Sequence, residues 1–322
     1  MLVTGGTGFI GSNLVSALLQ HGYRVRILRR PDSRVQTPAE VETHAGDVRD
    51  LTSIRRAVCG CDTVFHTAAL VTFARSRREE QYQVNVIGTK NVVDACLQES
   101  VGKLVHTSSI AAIGYAPPGG LATEDTPFNW GGTTGYKFSK HSAEREVASG
   151  VERGLFAVVV NPSVVIGERD IHFHGGQLIR DIRKGIIPFY IDGGMNIVYV
   201  GDVVRGQIQA ALRGRNGERY ILGGENLSHR EIFARTAELI GGRPPFAKLP
   251  ISFLRGGALA IETVCRVFGV QPYVTRDLVA GAGRFNWFSS EKAIRELGHT
   301  ITPFDTTILR AYQWYRENGF LK

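Results

Sequence analysis

Short apolar runs of strand length alternate with stretches of helical period through the first half of the chain. The runs are "MLVT", "YRVRIL", "DTVFHTAA", "KLVHTSS" and "FAVVVNPSVVI"; between them lie "GSNLVSALLQHG", "LTSIRRAVCG", "TKNVVDACLQES" and "KFSKHSAEREVASG". Such alternation predicts βαβ units, hence a doubly wound parallel sheet covered by helices on both faces. Gly22, Gly60 and Gly150 stand where helices are expected to stop. The pattern changes after residue 166. "ERDIHFHGG" reads as a polar loop, and "NIVYVGDVVRGQIQAALRG" as one more strand and helix of the same sheet. "ERYILGG" and "SHREIFARTAELIGG" then open a second region, which "SSEKAIRELG" and "TPFDTTILRAYQWYRENG" close with two helices. The expected division is therefore a sheet domain over 1–165 and about 194–215, with a smaller domain over about 166–193 and 216–322. The first strand begins at Met1 and meets its first glycine after Thr4. About five or six residues are usual for a strand, so either the natural start lies slightly upstream or this strand is short.

Composition narrows the partners. Apolar residues make up 43% and charged residues 21% of the 322, as in ordinary globular proteins. The net charge of +8 invites a search for an anionic partner. The densest basic cluster, Arg75 to Arg78, is followed at once by Glu79 and Glu80 and reads as a solvated face. No recognition helix, zinc finger or basic-aromatic motif is present, so nucleic acid is not an expected partner. Cys59 and Cys61 have the wrong spacing for a redox pair; together with Cys96 and Cys265 they are expected to be reduced thiols. The start lacks a charged leader and is broken by glycines, unlike a signal peptide. Residues 251–270 are the most membrane-like, but Arg255, Glu262 and Arg266 interrupt them; the expectation is an amphipathic helix without stable membrane insertion. A cytoplasmic location follows as the expectation.

The chemistry begins at "VTGGTGFIG". Gly5, Gly8 and Gly11 follow a strand and open a helix whose first residues are Phe9 and Ile10. Gly5 permits a tight turn, Gly8 lets the backbone approach a pyrophosphate, and Gly11 lets helix and sheet pack closely. The helix start then offers unpaired N–H groups and a partial positive charge to the phosphates. The expected fold is α/β, a Rossmann-type doubly wound sheet with a smaller C-terminal substrate-binding domain. The second strand ends in Arg29 and Arg30, where an NAD-selective site carries an acid against the ribose 2′-hydroxyl. A guanidinium there can grip a 2′-phosphate, so the expected cofactor is NADP(H) in preference to NAD(H), with NAD(H) possible. Asp47 and Val48 are expected at the adenine edge, and Ala68 and Ala69 beneath the cofactor.

In "GYKFSK", Tyr136 and Lys140 lie four apart on one helical face. A free tyrosine ionises near 10, and a neighbouring cation favours the tyrosinate. Lowering that value by roughly three units requires about 4 kcal/mol, which Lys140 is expected to supply. Ser108 and Ser109 end the fifth strand, where sheets of this kind place their chemistry.

In this order, "TGGTGFIG", "GDVRD", "NVIGTKNVVDAC", "YKFSK", "VNPSVVIG" and "NIVYVGDVVRG" resemble the extended short-chain dehydrogenase/reductases over essentially the whole chain. The resemblance implies Tyr136 as general acid/base, Lys140 as its tuning cation and Ser109, ahead of Gly114, as donor to the substrate oxygen. It implies Asn85 as holder of a relay water, Pro162 and Ser163 beside the nicotinamide, and a homodimer as a possible assembly. Nucleotide-sugar members usually carry a diphosphate-binding asparagine where this chain has Val164. An apolar side chain cannot donate to phosphate. The chain is therefore more similar to the dihydroflavonol-reductase-like branch, and also to the hopanoid-associated sugar epimerases. The leading expectation is an NADPH-dependent carbonyl reductase acting on a small, partly apolar molecule. A sugar epimerase or dehydratase is the alternative, and a non-catalytic dinucleotide sensor a third reading. Val71, Phe73, Ile110, Ile166, Phe173 and Tyr190 are the expected pocket lining. His172 and His174 lack a third ligand at suitable spacing, so no metal is expected.

Overall fold

The computed structural model describes residues 1–33, 35–131, 135–253 and 283–321. Cys265 and most of the amphipathic stretch expected at 251–270 lie outside the described residues.

The main sheet has seven strands, all parallel: β1 (Leu2–Thr4), β2 (Arg26–Arg29), β3 (Glu42–Ala45), β4 (Thr63–His66), β5 (Lys103–Thr107), β6 (Ala157–Pro162) and β10 (Arg219–Leu222). Their spatial order is β10-β6-β5-β4-β1-β2-β3. The winding reverses between β1 and β4, which opens the ligand crevice of such sheets at the strand carboxyl ends. Alternation along β1 feeds two cores. Val3 packs with α1 (Phe9–Gln20) and α7 (Val200–Arg213), through Leu14, Leu18, Val204 and Ile208. Leu2 faces the other side, with Ile54 of α2 (Leu51–Val58), Val92 and Val93 of α4 (Gly88–Gln98), and Val147 of α5 (Tyr136–Glu152). Between β4 and α4 come a short helix, α3 (Arg78–Tyr82), and a π-helical turn over Gln83–Ile87.

Two expectations about the sheet are corrected. The strand predicted before α7, β9 (Gly194–Tyr199), does not join the main sheet; it is the centre of a second one, flanked by β7 (Val164–Ile166), β11 (Glu225–Ser228) and β13 (Phe285–Asn286). The seventh main strand is instead β10, in the "ERYILGG" segment expected to open the second region, so the sheet reaches past the boundary expected near 215. Both strands read as apolar runs because both are buried on two sides: Val198 of β9 faces the main core and Ile197 the second core. Gly150 is likewise not a stop. It lies inside α5, where a Cβ would come within 2.5 Å of Val93 Cγ1, so it is the site of close helix–helix approach. Gly22 and Gly60 do follow helices with positive φ, of 78° and 72°.

The second core joins α6 (His174–Lys184), α8 (His229–Ile240) and α10 (Phe304–Glu317) around Ile179, Ile232 and Ile308; α9 (Glu291–Leu297) packs instead on the main core. A two-stranded pair, β8 (Phe189–Tyr190) with β12 (Ala247–Lys248), lies at its edge. Among the described residues no helix is long and apolar enough to cross a membrane.

Candidate active site

The glycine turn is dictated by contacts. Gly5 has φ +70°, and a Cβ there would meet the Ala68 backbone at 2.7 Å; at Gly11 it would sit 2.1 Å from the Gly5 carbonyl oxygen. A Cβ at Gly8 would meet only that same oxygen, at 3.2 Å. Gly8 is the N-cap of α1 and brings no side chain to its first turn, so the N–H groups of Phe9 and Ile10 have no side-chain cap. Arg29 ends β2, and its Nη2 donates to the Ser33 carbonyl at 2.6 Å. Arg30 is exposed beside Asp32. No acid stands at the end of β2. Asp47 lies with Arg49, Asp50, Glu79, Glu80 and Gln83 along an open cleft of about 510 Å³. Arg49 holds the Asp47 carboxyl below its ordinary range through a two-nitrogen grip. Val48 is buried in the core, against Gly88. Ala68 lies under the glycine turn and Ala69 is exposed.

Tyr136 is the first residue of α5, after Gly135 at φ +90°. The Ser109 side chain acts on its hydroxyl, favouring the ionised form. Ser109 caps a 3-10 turn over Ile110–Ala112, and its Oγ accepts from Ala111 N at 3.2 Å. Tyr136 keeps some surface exposure, but burial of its ring and hydroxyl pushes the phenol above its ordinary value, against the opposite effect of Ser109. The lowering expected from Lys140 does not register on the phenol. The Lys140 ammonium donates to the Thr107 carbonyl at 2.8 Å, and burial lowers its pKa to about 8, with Glu144 acting the other way. Asn85 sits in the π-helical turn, a feature frequent at functional sites. Its Oδ1 accepts from Leu70 N at 2.7 Å, and its Nδ2 donates to Ser139 Oγ at 2.9 Å. Its backbone carbonyl accepts the Thr89 hydroxyl at 2.6 Å.

Pro162 ends β6 and is buried. The neighbouring Ser163 Oγ, like that of Ser108, is buried with no protein partner. Such orphaned hydroxyls beside the sheet crevice fit the polar carboxamide of a pyridine nucleotide. Of the expected pocket lining, Phe73 meets the Tyr136 ring edge-on at 6.3 Å between centroids and is 56% exposed; Val71 beside it is 47% exposed. Ile110 packs against a small core of Ile113, Ala122, Ile221 and Phe288. The other three lie elsewhere. Ile166 is closed into the second core. Phe173 meets Tyr315 edge-on and stacks on Phe320. Tyr190 lines a cavity of about 400 Å³ with Arg230, Phe233 and Phe246, which none of the Tyr136 cluster reaches.

The sequence reading missed the polar layer beneath the site. His66 and His106 are register partners on β4 and β5, with rings 5.2 Å apart. Burial drives both pKa values down, that of His66 to about 3. Glu144 and Asn161 also belong to that layer. The available signal was spacing: Tyr136, Lys140 and Glu144 recur every fourth residue on α5.

The NAD dependent epimerase/dehydratase family matches residues 1–223. The chain belongs to this family. A Synechocystis sp. relative named "Putative dihydroflavonol 4-reductase" is 34% identical over 99% of this chain and 95% of its own length. Among solved structures, gox2253 is 39% identical, with a TM-score of 0.89 over 100% of this chain and 99% of its own. PA4631, described as a nucleoside-diphosphate-sugar epimerase from Pseudomonas aeruginosa, is 28% identical, with a TM-score of 0.81 over 100% of this chain and 98% of its own. The chain is an NAD(P)-dependent enzyme of the extended short-chain dehydrogenase/reductase type.

Proposed function

We propose that this family member is an NADPH-dependent reductase of an aldehyde or ketone on a small, partly apolar molecule. The observation that carries the reading is the convergence of Tyr136, Ser109, whose side chain acts on the Tyr136 hydroxyl, and the buried Lys140 ammonium one helical turn on. The nicotinamide, when bound, supplies a hydride to the carbonyl carbon. The protein's part is proton chemistry. Ser109 and Tyr136 orient the carbonyl oxygen, and Tyr136 donates its hydroxyl proton as that oxygen gains charge. A phenol whose pKa is raised by burial is fully protonated at neutral pH, the state a proton donor needs. The tyrosinate left behind is stabilised by Lys140 and reprotonated from solvent, so one carbonyl, one hydride and one proton give one alcohol.

Two features support a reductase. Arg29 ends β2, the strand end at which a 2′-phosphate is expected, and Phe73 and Val71 put apolar surface beside Tyr136. Val164 on β7 offers no donor to a diphosphate. The similarity to PA4631 favours a second reading, a sugar-nucleotide epimerase that keeps its cofactor and shows no net oxidation.

The test is to denature the purified protein, identify any released nucleotide, titrate the empty sites with NADPH and NADH, and screen aldehydes and ketones. Empty sites, tighter NADPH and carbonyl-dependent NADPH consumption are expected. Stoichiometric bound NAD would overturn the reductase in favour of the epimerase. Tyr136→Phe is expected to abolish turnover with cofactor affinity retained; full turnover in that variant would remove Tyr136 from the chemistry.

A further inference from the structure

Behind the Tyr136 cluster lies a buried polar network that the reaction outlined above does not use. Glu144 is 8% exposed and stands one turn beyond Lys140 on the same face of α5. Its Oε1 accepts from Asn161 Nδ2 at 2.6 Å, and its Oε2 from Arg219 Nη1 at 3.2 Å. Asn161 is fully buried on β6, and the same Nδ2 donates to the Ser109 carbonyl at 3.0 Å. Both of its neighbours are acceptors, so the amide can face them only with its nitrogen. Arg219, on β10, also donates to the Glu124 carbonyl, while the buried Glu124 carboxylate accepts from Ile221 N at 2.8 Å. The network thus links the Ser109 turn, α5, β6 and β10.

We propose that Glu144 is a positioning residue: through Asn161 it clamps the Ser109 turn against the helix carrying Tyr136 and Lys140, and from one turn away on the same helical face it supplies the counter-charge to the buried Lys140. The inference rests on the catalytic reading of Ser109, Tyr136 and Lys140.

The surroundings of Lys140 explain why it needs that carboxylate. On its own helix it has Tyr136, neutral at physiological pH, and Glu144. His66 and His106 come from β4 and β5, both uncharged because burial lowers their pKa values. Thr107 of β5 gives only a carbonyl. Among the described residues, Glu144 is the one anion whose charge registers on Lys140. Arg219 sits on the far oxygen, so Glu144 is shared between two cations. Neutralising it leaves the ammonium buried among neutral groups, and the proton is then lost at lower pH.

The experiment follows urea unfolding of the full-length chain without cofactor between pH 6.5 and 10.5. Wild type should gain stability from an onset near pH 8, where folded Lys140 starts to lose its proton before the unfolded chain does. Glu144→Gln keeps an oxygen for Asn161 and removes the charge; its onset is expected about one pH unit lower. Glu144→Asp keeps the charge and should restore the onset to near the wild-type value. In a Lys140→Met background, Glu144→Gln should shift nothing. If Glu144→Gln lowers stability by the same amount at every pH, Glu144 is structural only and the inference falls. Asn161→Ala, measured with any carbonyl that the wild type reduces, should cut kcat about tenfold with little change in KM; an unchanged kcat removes the clamp. The unfolding arm needs no substrate. Retained turnover in Tyr136→Phe would therefore end the catalytic reading without moving the onset, and an unmoved onset would end this inference alone.

Discussion

Lys140→Met should make the protein more stable at neutral pH while removing its activity. Lys140 is 3% exposed, and burial has brought its pKa from 10.5 to about 8. That fall corresponds to roughly 3 kcal/mol by which the buried ammonium opposes folding at pH 7. The sign follows from proton counting. Between pH 8 and 10.5 the unfolded chain holds the proton more tightly than the folded one, so wild-type stability rises with pH across that window. Methionine fills a similar volume without charge, but it abandons the 2.8 Å bond to the Thr107 carbonyl. An under-satisfied buried carbonyl costs about 1–3 kcal/mol. The net expectation is a gain of about 1 kcal/mol at pH 7, shrinking and reversing as pH approaches 10.5. Urea unfolding of both proteins at pH 7, 9 and 10.5, with m compared, measures it. Lys137, also lowered to about 8, is common to both proteins and cancels in the difference. A wild-type-to-variant difference that stays flat across this window would refute the assignment of the buried charge to Lys140.

Three further outcomes are expected. Gly11→Ala places a Cβ 2.1 Å from a backbone oxygen, so it should cost about 1–3 kcal/mol and weaken nucleotide binding more than tenfold, read by unfolding and by fluorescence titration. Arg29→Asp should swing the NADPH/NADH preference toward NADH; unchanged NADPH affinity would mean that a 2′-phosphate is held elsewhere. Iodoacetamide at pH 8 should label the exposed Cys59 well before Cys96, which is fully buried with its thiol pushed up to about 12; mass spectrometry after brief labelling distinguishes them.

Much of the cofactor crevice and of the Tyr136 cluster was legible because the determinants are local. Gly8 and Gly11 meet the Gly5 carbonyl within one strand–helix junction, although Gly5 itself is fixed by the Ala68 backbone at the end of β4, and the pairing of Tyr136 with Lys140 on one face follows from helical period alone. The same holds for most of the main sheet, where strand and helix alternate in chain order. The pocket lining was less legible. Proximity to a strand end placed Phe73 near Tyr136, but it equally selected Ile166, which the second core encloses.

What the sequence determined by itself is therefore the set of elements, the dinucleotide turn and the helical face that carries Tyr136 and Lys140. What only the tertiary structure decided is which apolar strand joins which sheet, β9 or β10, since both are buried on two sides and read alike. It also decided the protonation chemistry. Period places Lys140 on the face of Tyr136, but whether its charge acts there depends on the Thr107 carbonyl, Glu144 and the enclosing sheet. Burial and hydrogen-bond partners come from segments distant in sequence, as when β6 and β10 bring Asn161 and Arg219 to Glu144. Electrostatic energies depend on that enclosure, which no local pattern records.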